Sequence, residues 1–316
     1  MELRNLGCTE ITVSELCFGA LPMGPLQANL TVEEGGKLIR EALESGINFI
    51  DTAQMYQTYN HIAHGLKGFS GDVVVATKSA AHDYQGMENA VQEALKVLNR
   101  DVIDIFHLHA ARVTPNVFKE REGALKCLLD YKDKGYIRAI GISTHNIKVV
   151  EKAAEIQEID IVYPIINKTG RGILEGTVED MLAAIEKCDI AGKGLYAMKV
   201  LAGGNLIGEL LEAIKFGRNI KGMDSISIGM IRKEELELNL KIFNNESITE
   251  DMLPKVISTK KLFILERFCK KCGKCIKACP NGAMELGEKS VKVNHDICLL
   301  CGYCYPVCPE FAIRML

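Results

Sequence analysis

"NFIDTAQMYQTYNHIAHGLKGFSGDVVVATK", residues 48–78, holds a short apolar run, a stretch of helical length and a second apolar run rich in valine. The unit recurs about every 30 residues. Such runs stand at 16–21 (LCFGAL), 48–53 (NFIDTA), 73–78 (VVVATK) and 102–109 (VIDIFHLH), then at 138–143 (RAIGIS), 160–167 (DIVYPIIN), 194–200 (GLYAMKV) and 225–230 (SISIGM), which makes eight. Between them, apolar residues repeat with helical period: Met87, Ala90, Val91, Ala94, Leu95 and Leu98 form one stripe. Val178, Met181, Leu182 and Ile185 form another, and Leu125, Leu128 and Leu129 a third. Gly46 and Gly135 stand where helices would end. Strands this apolar cannot have one wet face, so they read as a parallel sheet covered by helices. Eight units predict a closed α/β barrel of the (β/α)₈ TIM type, and no G-x-G-x-x-G follows the first strand to suggest an open dinucleotide-binding sheet. The opening LRNLGCTEITVSEL (3–16) has the turn and alternation of a hairpin that would close the barrel's lower end.

The whole chain has 316 residues, 47% hydrophobic and 25% charged, as in soluble globular proteins. A net charge of −3 excludes a broad nucleic-acid surface, though not a local patch. The first ten residues, MELRNLGCTE, carry charge where a signal peptide needs an apolar core. No run of 18 apolar residues exists to span a membrane. Of twelve cysteines, Cys8, Cys17, Cys127 and Cys188 are scattered singly, which suits a reducing compartment. The expectation is a cytoplasmic protein with neither a nucleic-acid nor a membrane partner.

Past residue 244 the pattern changes, and the sequence divides into a barrel at 1–244, a polar connector at 245–262 and a third segment at 263–316. That segment is an internal repeat: FCKKCGKCIKACPNGAME (268–285) lies over ICLLCGYCYPVCPEFAIR (297–314) with every cysteine matched. Each run is spaced C-x₂-C-x₂-C-x₃-C-P. Three thiolates three residues apart on a tight loop grip three corners of a cubane, and the fourth, before proline, reaches the other cluster. The spacing therefore assigns Cys269, Cys272, Cys275 and Cys308 to one [4Fe–4S] cluster, and Cys298, Cys301, Cys304 and Cys279 to a second. A zinc site or a redox disulfide explains neither the even spacing nor its repetition. The segment resembles two-cluster bacterial ferredoxins, which implies a small α+β iron–sulfur domain. Lys270, Lys271, Lys274 and Lys277 crowd the first run; the plain reading is a solvated face, the sharper one a docking patch for an acidic partner.

A barrel's active site is built from the C-terminal ends of its strands. Three successive strands finish on Asp51, Lys78 and His109, with Tyr56 a short turn beyond Asp51. Singly, each has an ordinary explanation as a capping, solvated or core residue; together on one rim they suggest chemistry. Here the chain resembles the aldo-keto reductases, through LGCTEITVSELCFGAL, GINFIDTAQMY, ATKS, IDIFHLH, IRAIGIS and GMIRKEELELN. The resemblance places the family's catalytic Asp, Tyr, Lys and His on Asp51, Tyr56, Lys78 and His109. It implies hydride transfer between NADP(H) or NAD(H) and a small carbonyl or alcohol substrate. Tyr56 would protonate the oxygen, Lys78 would bring the phenol's pKa down from about 10, Asp51 would hold Lys78, and His109 would orient the substrate.

The cofactor side departs from the family. Ser143 matches a residue that holds the nicotinamide amide, Thr144 stands where an Asn is usual with Asn146 as its substitute, and Tyr163 replaces a Gln. Asn167 matches. Gly203 and Gly204 would let backbone N–H groups approach a phosphate. Glu235 and Asn239 match the adenosine end, while Ile231 replaces an arginine that has Arg232 as its neighbour. His107 should point inward below His109, as a hydrogen-bonded core imidazole. His61 and His64 are expected on a surface helix, with the substrate mouth as the alternative.

Hydride transfer moves two electrons together, whereas a [4Fe–4S] cluster accepts one. The leading expectation is an aldo-keto-reductase-type enzyme whose clusters serve a one-electron redox protein partner or a structural or sensing role. The alternative is a barrel holding a flavin or another cofactor fed by the clusters. A purely electron-carrying module is opposed by the intact tetrad.

Overall fold

The computed structural model describes residues 1–254, 261–310 and 312–315. A hairpin comes first, β1 (Leu3–Asn5) antiparallel to β2 (Thr12–Ser14). Then alternate β3 (Leu16–Gly19), α1 (Val32–Glu44), β4 (Phe49–Asp51), α2 (Tyr59–Leu66), β5 (Val74–Ser79) and α3 (Tyr84–Leu98). Next are β6 (Ile103–Ala110), α4 (Val117–Glu120), α5 (Glu122–Asp133), β7 (Ile137–Thr144), α6 (Ile147–Ala153) and β8 (Ile161–Pro164). The series ends with α7 (Val178–Ile190), β9 (Gly194–Ala197), α8 (Leu210–Arg218), β10 (Ser225–Gly229) and α9 (Lys233–Phe243). β3 to β10 are parallel and close into a barrel, β10 pairing with β3. Each of the eight expected runs carries one barrel strand.

The two-residue period of a strand sorts its side chains into two layers. Phe49, Ala76, Ile105, Ala139, Ile161 and Tyr196 fill the barrel, and Leu6, Ile11 and Val13 of the hairpin region plug its lower end. Phe18, Ile50, Val75, Phe106, Ile140 and Val162 pack outward against the helices. His107 and His109 share the phase of Ile105 and so face inward. Thr31 caps α1 by accepting from the Glu34 N–H at 3.2 Å, while Glu34 accepts from the Thr31 N–H at 2.9 Å; such reciprocal caps satisfy donors that the first turn leaves open. Gly46 and Gly135 end α1 and α5 with φ of 90° and 80°, where a side chain would be strained.

Beyond the barrel, β11 (Leu262–Ile264) pairs antiparallel with β14 (Ile313–Met315), and β12 (Met284–Leu286) with β13 (Val291–Val293). α10 (Lys274–Ala278) lies between. Leu262, Ala283, Met284, Val291 and Ile313 form a separate small core with Cys275, Cys279 and Cys304. Residues 255–260 of the expected connector lie outside the described residues. Among the described residues no helix is long and apolar enough to cross a membrane.

Candidate functional site

Parallel register brings the ends of β4, β5 and β6 side by side, with Asp51 opposite Ala76 and Lys78 opposite His107. Lys78 Nζ donates to Asp51 Oδ1 at 2.8 Å, Asp51 Oδ2 at 2.7 Å and the Thr52 carbonyl at 2.7 Å. An ammonium has three hydrogens. All three are taken, so none points at Tyr56; the charge instead lies 5.0 Å from the centre of the Tyr56 ring and 5.1 Å from that of Tyr163. Burial pulls Lys78 down and pushes Asp51 up, and their mutual contact opposes both shifts. A pair this close, with a further donor on the carboxylate, stays ionised.

Tyr56 ends a short 3₁₀ turn and is buried. Burial, then Tyr303 and Asp51, hold its phenol well above its ordinary value. Lys78 makes no hydrogen bond to the phenol here, so any lowering by it acts through space, across the ring face. His109 is pushed well below its ordinary value by burial and then by Lys78, and so is neutral.

Beneath the tetrad lies a second polar layer. The Tyr196 hydroxyl donates to Asp51 Oδ1 at 3.0 Å and meets His107 Nε2 at 2.7 Å. With its hydrogen on Asp51, Tyr196 accepts from His107 Nε2–H, which leaves His107 Nδ1 as a bare lone pair with no partner among the described residues. That nitrogen would lie 2.2 Å from a Cβ at Gly141, so glycine is required there. His107 is a hydrogen-bonded core imidazole whose partner holds the Asp51 carboxylate. Tyr163 stacks on Tyr196 with ring centres 3.8 Å apart and 12° between planes. Tyr196 escaped sequence reading because GLYAMKV offers no motif.

The mouth of the barrel is covered by the second cysteine run. The Tyr303 hydroxyl lies 3.1 Å from His109 Nε2 and 3.3 Å from the Tyr56 hydroxyl. Arg171 donates to the carbonyls of His295 and Cys298, Gln27 to that of Leu300, and Arg112 to that of Cys279. His145 Nδ1 meets Asn281 Oδ1 at 3.1 Å. Gly203 has φ of +68°, and a Cβ on it would lie 2.0 Å from the Leu299 carbonyl oxygen, so its bare backbone serves this contact. Leu299 is 1% exposed and joins the barrel's outer core. Sequence reading treated Leu299 and Tyr303 only as spacers between cysteines.

The residues expected around a nicotinamide are dispersed among other tasks. Asn146 caps α6 through the Lys148 N–H and donates to the Val113 carbonyl. Asn167 closes its own turn with Thr169 and Arg171. Tyr163 is stacked inside the barrel, and Gly203 is sealed by Leu299, while Gly204 stays open. Ser143 Oγ is buried without a partner among the described residues, as an amide-binding hydroxyl would be, and so is Asn239 Oδ1 at the adenosine end. At the adenosine end Arg232 pairs with Glu235 at 2.8 Å, and Asn239 donates to the Glu235 carbonyl. With Asn281, Leu299 and Tyr303 in place, the nicotinamide half of this set does not fit that ring, and the larger flavin fits the covered mouth no better. His61 is buried, its Nε2 3.0 Å from the Leu30 carbonyl, and His64 packs beside Gly36, so neither lines the mouth.

The eight clustered thiols fall into two sets around separate cavities. Cys269, Cys272, Cys275 and Cys308 line one; Cys279, Cys298, Cys301 and Cys304 line the other. Each cavity draws three thiols from one run and one from the other. Among the described residues no three His, Cys, Asp or Glu side chains converge as for a single metal ion. Cys279 Sγ accepts from the Ala283 N–H at 3.2 Å and Cys308 Sγ from the Ala312 N–H at 3.3 Å, bonds that suit a thiolate ligand. Thiols ringing a space, with donors behind them, fit [4Fe–4S] clusters.

Comparison with known proteins agrees with both halves. Residues 15–244 match the aldo/keto reductase family, and residues 268–312 match a 4Fe-4S dicluster domain. The uncharacterized oxidoreductase YqkF of Bacillus subtilis is 25% identical over 219 residues, 64% of this chain and 68% of that protein. The L-galactose dehydrogenase of Arabidopsis thaliana is 28% identical over 220 residues, 65% of this chain and 67% of that protein. A putative aldo-keto reductase of Pseudomonas aeruginosa superposes with a TM-score of 0.67 at 23% identity, over 77% of this chain and 95% of that one. The chain belongs to the aldo/keto reductase family.

Proposed function

We propose that the chain is an iron–sulfur oxidoreductase that interconverts a small carbonyl compound and its alcohol at Asp51, Tyr56, Lys78 and His109. The observation that carries this reading is the buried Lys78–Asp51 pair beneath Tyr56, with neutral His109 on the other side of one point in space. A carbonyl oxygen at that point receives a hydrogen bond from Tyr56 and one from His109. Tyr56 gives its proton as negative charge grows on that oxygen, and Lys78, fixed by its three acceptors, stabilises the phenolate from across the ring face. Asp51 keeps Lys78 protonated, and Tyr196 and His107 hold Asp51 from below. The dehydrogenase activity named for the Arabidopsis relative belongs to the same reaction class.

Two [4Fe–4S] clusters, held by the two sets of four cysteines, would supply or remove electrons singly. The first set opens toward solvent at exposed Cys272, amid exposed Lys270, Lys271, Lys274 and Lys277, where a one-electron redox protein would dock. A second reading keeps NAD(P)H as hydride carrier; the unpartnered Ser143 hydroxyl favours it, and it requires the second cysteine run to leave the mouth. The test is Tyr56→Phe in cluster-loaded protein. Carbonyl reduction should fall by about 10²- to 10⁴-fold with the visible cluster spectrum unchanged. Turnover near that of the parent would remove Tyr56 from the mechanism.

A further inference from the structure

The cluster-binding loop stands where the family likeness puts a nicotinamide, and its contacts decide how electrons can enter. The Tyr303 hydroxyl holds both hydrogen bonds that a substrate oxygen would take, one to Tyr56 and one to His109. A small molecule at this point needs only the Tyr303 side chain to give up these two hydrogen bonds. The Tyr303 backbone need not move, being tied through Cys301 and Cys304 and through the bonded carbonyls of Cys298 and Leu300. A nucleotide is far larger. It would have to break those bonds and lift Leu299 off Gly203, exposing an apolar side chain.

We infer that the loop replaces the nicotinamide: the barrel site exchanges electrons directly with the cluster held by Cys279, Cys298, Cys301 and Cys304, and Tyr303 gates the place where the substrate meets both. This rests on the preceding reading of the tetrad as a carbonyl site.

Delivery of single electrons narrows the substrate. After the first electron a simple ketone would carry an unstabilised radical, whereas a conjugated dicarbonyl, an α-diketone or a quinone, spreads it over two oxygens. The balanced change is O=C–C=O + 2 e⁻ + 2 H⁺ → HO–C=C–OH. Each cluster is oxidised by one electron, the dicarbonyl is reduced by two, and a one-electron carrier protein refills the clusters. Both protons go to oxygen, one from Tyr56, reloaded from water, and one from water directly. No C–H bond forms, so no hydride is needed.

The experiment uses cluster-loaded full chain, anaerobically reduced and freed of reductant, mixed with diacetyl while visible absorbance is followed. Reoxidation of two clusters per diacetyl consumed is expected. Tyr56→Phe should slow it by at least about 100-fold, while ferricyanide reoxidises parent and variant alike. Tyr303→Phe, which removes the competing hydroxyl but keeps the ring, should lower the half-saturating diacetyl concentration about five- to tenfold without changing the ferricyanide rate. Calorimetric titration with NADP⁺ and NAD⁺ should show no saturable binding below millimolar concentration. Micromolar nucleotide binding, or NADPH-driven diacetyl reduction with the cluster spectrum constant, overturns this inference while leaving the carbonyl reading intact. Reoxidation by diacetyl that is indifferent to Tyr56→Phe overturns both.

Discussion

The two cysteine runs share one spacing and differ in nearly everything between the ligands. Aligned, Lys270 falls on Leu299, Lys271 on Leu300, Lys274 on Tyr303 and Lys277 on Pro306. In the structure the first run turns its four lysines to solvent. The second lies face down on the barrel, Leu299 in the apolar core and Tyr303 on the tetrad. The cysteines fix what is bound, and the spacers fix which side faces water and which faces the enzyme. The repeat is thus a symmetrical holder with an asymmetrical surface.

Exchanging spacers breaks the comparison most directly. Leu299→Lys places an ammonium at a position 1% exposed and should cost about 3–5 kcal/mol. The reverse change, Lys270→Leu on the solvent side, should stay within about 0.5 kcal/mol. Anaerobic urea unfolding of both variants measures the difference. Equal effects would show that the second run does not rest on the barrel.

Much of this was legible in the sequence, and the limits have a physical cause. Period-two and helical patterns report burial within one element, so the eight strands, the hairpin and the inward phase of His107 and His109 could be read directly. Cysteine spacing reports a local loop geometry, so it too was readable. Contacts between distant segments leave no such trace. Tyr303 reaches the tetrad across 247 residues from Tyr56, and nothing in CLLCGYCYPVCP announces that. Its only signal was that leucine and tyrosine replace lysine in the repeat, a contrast that points to a covered face. The departures Thr144 and Tyr163 carried the complementary signal, since under the inference drawn above a pocket without a nicotinamide need not keep the residues that bind one. Ligand positions inferred by likeness say nothing of competing local partners: Asn146 and Asn167 spend hydrogen bonds on a helix cap and a turn.

A smaller effect is expected on the outer face. Replacing Lys270, Lys271, Lys274 and Lys277 by Glu should slow cluster reduction by an acidic flavodoxin about 10- to 100-fold at low salt, and the gap should close as the Debye length shrinks. The same variant should accept electrons from dithionite at the parental rate, because the ligands are untouched. If the flavodoxin rate is unchanged at every salt concentration, the lysines are a solvated face and the contrast between the runs is one-sided.

The smallest expected change concerns the inner face and pH. Tyr56 is surrounded by Tyr303, His109, Asp51 and Lys78. Burial, Tyr303 and Asp51 raise its phenol above the ordinary 10.0, so it is a loaded proton donor at every lower pH and loses that proton only above it. Burial and Lys78 push His109 well below 6.5, so it gains a proton only under acid conditions. Neither group then titrates between pH 6.5 and 10, and the rate of diacetyl-driven cluster reoxidation should be flat across that window apart from the cost of drawing protons from water. A phenol lowered by a direct ammonium contact would behave oppositely, emptying its proton and losing rate as pH rises toward 10. An alkaline limb inside the window would mean that substrate, in displacing Tyr303, also frees a Lys78 hydrogen from Asp51 or Thr52. The covered face would then be a resting arrangement that rebuilds the tetrad on opening, and the loop would control the acid as well as the electron.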